Sequence, residues 1–263
     1  MCPAADLRRK LSRTVLRTVG AYGLIGEGDR IFVAVSGGKD SSTLLDLLWE
    51  ARRKAPVRFE LVAGHLDLET PGRDPSALER WLRELGCPYE IIREDVRAAV
   101  EARSAAGETR CVACARFRRG ILYSAARRLG SNKVALGHHR DDALETLLLN
   151  LLYSGRLQAM PARYRTRGGD IEVIRPLIEC AEEDIARHAE ASGYPRASCS
   201  LCGPGAGEKR EEVARLLREI ERSVPNARRV MLSALKNVRP THLLDREVAE
   251  AWEAMAGRYE PRR

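Results

Sequence analysis

The segment IFVAVSGGKDSSTLLDLLWEA, Ile31–Ala51, is the most informative part of the sequence about the fold. It begins with five apolar residues, passes through a turn with two glycines, and ends in a segment whose leucines recur at helical spacing. This pattern predicts a buried strand, a loop and a helix, in that order. The loop then lies at the N-terminal end of the helix, where backbone N–H groups and the helix dipole favour phosphate oxygens.

The same alternation continues along the chain. Further strands are predicted at Phe59–Asp67, Tyr89–Asp95, Lys133–His139 and Glu172–Leu177, the last of them at the edge of the sheet. Helices are predicted at Ser76–Gly86, Phe117–Gly130, Asp141–Tyr153 and Glu182–Gly193, and in the basic tail from Glu208 onward. Alternating strands and helices indicate an α/β fold with a doubly wound, mostly parallel sheet and a helical C-terminal extension. We divide the chain into an N-terminal helical segment (1–29), a main domain (30–200) and a C-terminal region (201–263).

The composition is that of a globular protein with a basic surface. The 263 residues are 44% hydrophobic, and 45 lysines and arginines against 37 acidic residues give a net charge of +8. The excess favours an anionic partner such as nucleic acid, although a solvated arginine-rich surface would look the same. There is no apolar segment of signal-peptide length, and the longest apolar run, Thr146–Tyr153, is too short to cross a bilayer. We therefore expect a cytoplasmic protein without a membrane partner.

The glycine-containing loop, SGGKDSS (Ser36–Ser42), has the composition of a phosphate-binding loop. Its glycines let the backbone approach a ligand closely, Lys39 supplies a positive charge, and the serines supply hydroxyl donors. The loop is not a Walker sequence, because Val33 stands where that pattern needs glycine and Asp40 stands where it needs serine or threonine. A plain glycine turn remains the structural alternative.

A second motif, LGHHRDDALET (Leu136–Thr146), follows the predicted fourth strand, at the sheet edge where ligands of open α/β sheets bind. Asp141 and Asp142 have the hard oxygen ligands that suit Mg²⁺, and they also suit a helix N-terminus. Both roles are compatible, and Asp142 is the favoured functional residue. Of His138 and His139, at least one is predicted to pack or form hydrogen bonds beneath the loop.

Together these two motifs resemble the PP-loop of the N-type ATP pyrophosphatases, which split ATP between its α- and β-phosphates and transfer AMP to an oxygen. The resemblance implies ATP and Mg²⁺ as ligands, with catalytic roles for Lys39 and Asp142. The nucleotide-binding residues that we carry over are Ser36, Gly37, Gly38, Lys39, Asp40, Ser41, His65, Gly137 and Asp142.

The cysteines form two CxxC pairs, in CVACARFRRG (Cys111–Gly120) and SCSLCG (Ser198–Gly203). In a cytoplasmic protein, cysteine pairs are metal ligands or reactive thiols more often than disulfides. Spacing alone also fits a closed zinc site of four cysteines, or a redox dithiol activated by the adjacent arginines. The unpaired cysteines are predicted to be inert, and they are Cys2, Cys87 and Cys180.

These cysteine motifs, with SALKNVRPTHLLD (Ser233–Asp245), resemble the tRNA 2-thiocytidine synthetases. The likeness runs from about Arg30 to Asp245. It implies a [4Fe-4S] cluster held by Cys111, Cys114 and Cys202, with one iron left free to carry the sulfide. It also implies that ATP adenylates the C2 oxygen of cytidine 32 and that the sulfide then displaces AMP.

The implied partners are the anticodon loop of a tRNA and a sulfur donor such as a cysteine desulfurase system, and we also consider a homodimer. Arg116, Arg118 and Arg119 follow the first cysteine pair. We predict that one of these arginines faces the cluster or the adenylate and that the others face RNA phosphates. Arg118 is the candidate for the catalytic role. The alternative is that all three face solvent. The rival functions are a lysidine synthetase, a PP-loop thiolase acting on uridine, and a zinc-stabilised tRNA-binding protein without catalysis.

Overall fold

The structure is a computed structural model that describes residues 3–68, 75–107, 109–195 and 208–256. The strands that it describes are β1 (Asp29–Ala34), β2 (Phe59–Asp67), β3 (Tyr89–Arg93), β4 (Lys133–Ala135), β5 (Arg163–Arg165) and β6 (Glu172–Ile174). They form one sheet in the order β3-β2-β1-β4-β6-β5. Every neighbouring pair is parallel except β5 with β6, which confirms the predicted mostly parallel sheet.

Helices cover both faces of this sheet. The described helices are α1 (Pro3–Tyr22), α2 (Lys39–Ala51), α3 (Ser76–Leu85), α4 (Arg97–Ala105), α5 (Arg110–Arg128), α6 (Arg140–Tyr153), α7 (Glu182–Ser192), α8 (Glu208–Ser223), α9 (Ala227–Ala234) and α10 (Arg246–Ala256). Successive side chains of a strand point to opposite faces. In β1, Ile31 accordingly packs with the leucines of α2, whereas Phe32 packs with Ala125 and Ala126 of α5 on the other face.

Two sequence-based predictions are wrong, one on the position of a strand and one on the start of a helix. The strand predicted at Glu172–Leu177 is not at the edge of the sheet: β6 lies between β4 and β5, and β5 forms that edge. The sequence hides β5 because it is only three residues long and alternates exposed and half-buried side chains. The helix predicted from Phe117 begins at Arg110, so the CxxC pair lies within its first two turns.

The chain divides into two compact units, residues 1–217 and 218–263. In the first unit, α1 packs against α2 and α7. In the second, the backbone N–H of Arg228 donates to the carboxylate of Glu221, and α10 packs against a short 3-10 turn at Pro240–His242. The three-part division at residues 29 and 200 stays a prediction. No helix within the described ranges combines the length and apolar character that a membrane crossing requires.

Candidate active site

Hydrogen bonds within the loop between β1 and α2 fix its conformation. The backbone N–H of Ser36 donates to Oγ of Ser41 (3.0 Å), and the Ser41 hydroxyl donates to the carbonyl of Gly38 (3.1 Å). Gly37 has φ of +79°, a left-handed conformation that favours glycine. No side chain caps the N-terminus of α2. The amides of its first turn therefore face the carboxyl edge of the sheet, ready to bind an anion.

Lys39 lies at the first position of α2 and is bound by two carboxylates. Its Nζ is 3.0 Å from Oδ1 of Asp40 and 3.0 Å from Oε1 of Glu182, at the start of α7. Burial opposes the charged form of Lys39, but the two carboxylates outweigh it and raise the pKa of the ammonium. The lysine is therefore a permanent cation beside the loop.

Of the two roles that the sequence left open for Asp142, the structure shows the helix cap, and the Mg²⁺ role stays a prediction. Asp142 forms a reciprocal cap at the start of α6: its Oδ2 accepts from the backbone N–H of His139 (2.9 Å), and its own N–H donates to Nδ1 of His139 (3.4 Å). Its other oxygen, Oδ1, is 2.6 Å from the guanidinium of Arg210 on α8. Asp141 is buried, and its Oδ2 accepts from the N–H of Glu182 (2.8 Å), so it stabilises the N-terminus of α7.

Two other predicted residues lie against the loop, one through a hydrogen bond and one through close backbone contact. His65 in β2 is buried, and its Nδ1 donates to the carbonyl of Val35 (2.7 Å), the residue that follows β1. Gly137 follows β4, and a Cβ added there would lie 2.9 Å from the backbone nitrogen of Ser41. The absence of a side chain at Gly137 lets the second motif approach the phosphate loop closely.

Helix α5 brings the first cysteine pair to the same edge of the sheet. Cys114 is buried, and Cys111 lies one helical turn before it on α5. The next residue, Ala115, and the arginines one turn further, Arg118 and Arg119, line the cavity described below. Cys199 and Cys202, the second pair, lie outside the described residues.

A cavity of about 460 Å³ lies where these elements meet. The residues that line it are Ala34, Val35, Ser36, Asp40, Ser41, Gly64, Leu66, Ala115, Arg118, Arg119, Leu122, Leu136, Gly137, His138, Asp142, Met160, Tyr164 and Arg175. Three of the sequence motifs therefore contribute to one space. Lys39, Gly37, Gly38 and His65 are next to it in sequence or structure but do not line it.

The cavity includes residues that sequence reasoning missed. Tyr164 comes from β5, and Arg175 directly follows β6. Arg210 on α8 contacts the acidic lining residue Asp142, and Glu182 on α7 contacts Lys39 beside the cavity. The only sequence signal for Arg175 is an arginine directly after the apolar residues of β6. Within the described ranges no group of three histidine, cysteine or acidic side chains is arranged to hold a metal ion. A Mg²⁺ ion here would take most of its ligands from phosphate and water, as it commonly does.

Comparison with known proteins shows sequence similarity over most of the chain. A family profile of the PP-loop domain matches residues 7–195. The chain is 47% identical over 252 residues to a tRNA-cytidine(32) 2-sulfurtransferase of Anaeromyxobacter dehalogenans (strain 2CP-C), covering 96% of this chain and 87% of that one. It is 42% identical over 239 residues to the protein of the same name from Vibrio cholerae serotype O1 (strain M66-2), covering 91% and 77%.

A solved structure is similar in fold. The U34-tRNA thiolase NcsA from Methanococcus maripaludis, determined with its [4Fe-4S] cluster, has a TM-score of 0.70 at 19% sequence identity. The match covers 98% of this chain and 81% of the thiolase. The phosphate loop, the second motif and the identity to curated relatives over nearly the whole length agree, so the chain belongs to the PP-loop family and, within it, to the tRNA-cytidine(32) 2-sulfurtransferases.

Proposed function

We propose that the protein converts cytidine 32 of tRNA to 2-thiocytidine in an ATP-dependent and iron-sulfur-dependent reaction that proceeds through an adenylated C2 oxygen. The observation that carries the proposal is the shared cavity. Ser36, Asp40 and Ser41 of the phosphate loop, Asp142 of the second motif and Arg118 behind the cysteine pair all line it. An activating site and a sulfur-delivering site can therefore act on one base without its release.

Activation is needed because the C2 oxygen of a pyrimidine is a poor leaving group. In the first step that oxygen attacks the α-phosphorus of ATP, an O–P bond forms, and the bond to the β-phosphate breaks with pyrophosphate leaving. The amides at the start of α2 and the cation Lys39 would stabilise the charge that moves onto pyrophosphate. Asp142 would share Mg²⁺ with the phosphates.

In the second step sulfur attacks C2, the C–O bond breaks, and AMP leaves with the former carbonyl oxygen. Cys111, Cys114 and Cys202 would hold the [4Fe-4S] cluster, which supplies a site for the sulfur to be transferred. The buried thiol of Cys114 and the placement of two cysteines one helical turn apart on α5, beside the cavity, fit such a group. Arg118 and Arg119 on the same helix add positive charge where AMP departs.

The finer partners follow from this chemistry. A tRNA anticodon loop suits the cavity because its bases can be turned out of the stack. We expect a cysteine desulfurase system to supply the sulfur, and the homodimer and the cytoplasmic location stay predictions.

The test combines a spectrum with a reaction. The anaerobically purified chain is expected to be brown, and with ATP, Mg²⁺ and a cytidine-32 stem-loop RNA it should release AMP and pyrophosphate and form 2-thiocytidine once a sulfur donor is added. Cys114→Ser should lose the colour and thiolation while still binding ATP, and Asp142→Asn should keep the colour and lose AMP release. A colourless protein with bound zinc and no RNA-dependent AMP release would refute the proposal.

A further inference from the structure

The cavity has two chemically different walls on either side of the phosphate loop. The wall at the ends of β1 and β2 is made of small or apolar residues, Ala34, Val35, Gly64 and Leu66. These four residues carry no charged side chain, and a surface of small and apolar residues suits the purine of ATP. The opposite wall, at the ends of β4, β5 and β6, has hydrogen-bond donors and an aromatic ring.

Arg175 is the unusual group on the second wall. It is 6% exposed, and within the described part of the chain no carboxylate lies at ion-pair distance from it. Its Nη1 donates to the carbonyl of Pro161 (2.8 Å), and its guanidinium lies 5.2 Å from the centre of the Tyr164 ring. Burial lowers the pKa of this arginine. The charge of Asp142, which also lines the cavity, opposes this shift, although its carboxylate does not lie at ion-pair distance. A buried cation without an ion-pair partner in contact is costly, which indicates a role other than stability.

Arg175 determines the chemical character of His138. Its Nε–H donates to Nδ1 of His138 (3.3 Å), and burial, with the charge of Arg175 adding to it, lowers the pKa of that histidine to about 4. The imidazole is therefore neutral, and the proton lies on Nε2. Since His138 lines the cavity, Nε2–H is the hydrogen-bond donor that its ring can offer to a ligand there.

We propose that this second wall is the subsite for the target base, and that Nε2–H of His138 selects cytosine over uracil by donating to N3 of the ring. Position 3 of cytosine is a hydrogen-bond acceptor, whereas uracil has an N–H there that would face another donor. Arg175 is a positioning residue, since it holds His138 in the donating tautomer. Tyr164, whose hydroxyl is 2.9 Å from that of Tyr123, provides a rigid aromatic wall for the base. The inference rests on the proposed function, because it assumes that RNA enters this cavity.

The test measures base selectivity separately from turnover. Anticodon stem-loop RNAs with cytidine or uridine at position 32 are bound to the wild-type chain and to His138→Gln, and AMP release is followed with the same RNAs. Glutamine can present either a donor or an acceptor. The preference for cytidine, both in the ratio of Kd values and in the ratio of AMP release rates, should therefore fall by about ten-fold or more. ATP affinity should change by less than about three-fold, because the purine wall is untouched.

Arg175→Lys should lower the same preference, because a single ammonium nitrogen does not reproduce the planar guanidinium, whose Nε–H and Nη1–H donate separately to His138 and to the carbonyl of Pro161. The matched control is the same arginine-to-lysine change at Arg163 on β5, which is exposed and does not line the cavity. Arg163→Lys should leave the preference for cytidine unchanged. If Arg175→Lys fails to fold, as judged by its melting temperature, His138→Gln decides the question alone. Unchanged selectivity in His138→Gln would overturn the inference, as would a loss of ATP affinity of about ten-fold or more with selectivity intact. Selective binding without any AMP release would leave the subsite standing and refute the proposed function.

Discussion

Gly137 offers the sharpest test of how the site is built. In Gly137→Ala, the new Cβ would lie 2.9 Å from the backbone nitrogen of Ser41, 3.0 Å from the carbonyl carbon of Asp40 and 3.1 Å from Cα of Ser41. These are backbone atoms of the first turn of α2, so no side chain can rotate away to relieve the overlap. We expect the free energy of unfolding to fall by about 1–3 kcal/mol, the usual cost of overpacking.

The larger effect of Gly137→Ala should be on nucleotide binding. Relief of the overlap moves Ser41, whose hydroxyl holds the amide of Ser36, so the phosphate loop changes shape. We expect ATP affinity to fall by about ten-fold or more, because small displacements of binding groups are costly. Thermal unfolding and equilibrium binding of a non-hydrolysable ATP analogue measure the two effects. The control is Gly20→Ala in α1, where a Cβ meets nothing within 4 Å and should stabilise the helix by about 0.5–1 kcal/mol. Wild-type stability and ATP affinity in Gly137→Ala would refute the close-approach argument.

Two further substitutions and one labelling experiment test other contacts. Arg210→Ala should raise Mg²⁺ affinity in the presence of ATP by up to about five-fold, because Oδ1 of Asp142 loses a half-exposed ion-pair partner; a Mg²⁺ titration that shows weaker binding would contradict this. Lys133→Met should cost about 3–5 kcal/mol in urea unfolding, since it leaves the buried carboxylate of Asp29 unpaired, and an unaltered midpoint would argue against the pair. Burial tends to raise the pKa of Asp29, but hydrogen bonds, of which that from Lys133 is the largest, lower it overall. In the wild type the ionised Asp29 therefore stabilises the fold at pH values above its pKa in the unfolded chain, and this stabilisation is lost as the pH falls through its lower pKa in the folded protein. Cys180, whose pKa burial raises to about 12, should resist alkylation in the folded protein at about pH 8 and react after unfolding, and rapid labelling of the native chain would show that the thiol is accessible.

Local sequence patterns were sufficient for the phosphate loop and the helix after it. The apolar run of β1, the glycines and the leucines of α2 are contiguous, so their hydrogen bonds and packing are encoded within about twenty residues. The alternation of strands and helices likewise predicted the mostly parallel sheet, because parallel strands need crossover connections. The pattern missed β5, which is only three residues long and too short to display a period, and it consequently placed the correctly predicted strand β6 at the edge of the sheet.

The sheet class, the phosphate loop, Asp142 and a cysteine pair followed by arginines could therefore be predicted before the fold was known. Which side chains meet in the cavity depends on how distant parts of the chain pack together. Arg175 reaches His138 across 37 positions of the chain, and Lys39 reaches Glu182 across 143. Such contacts depend on the order in which strands join the sheet and on where each helix ends. Those features follow from the packing of the whole chain, and no local pattern of residues contains them.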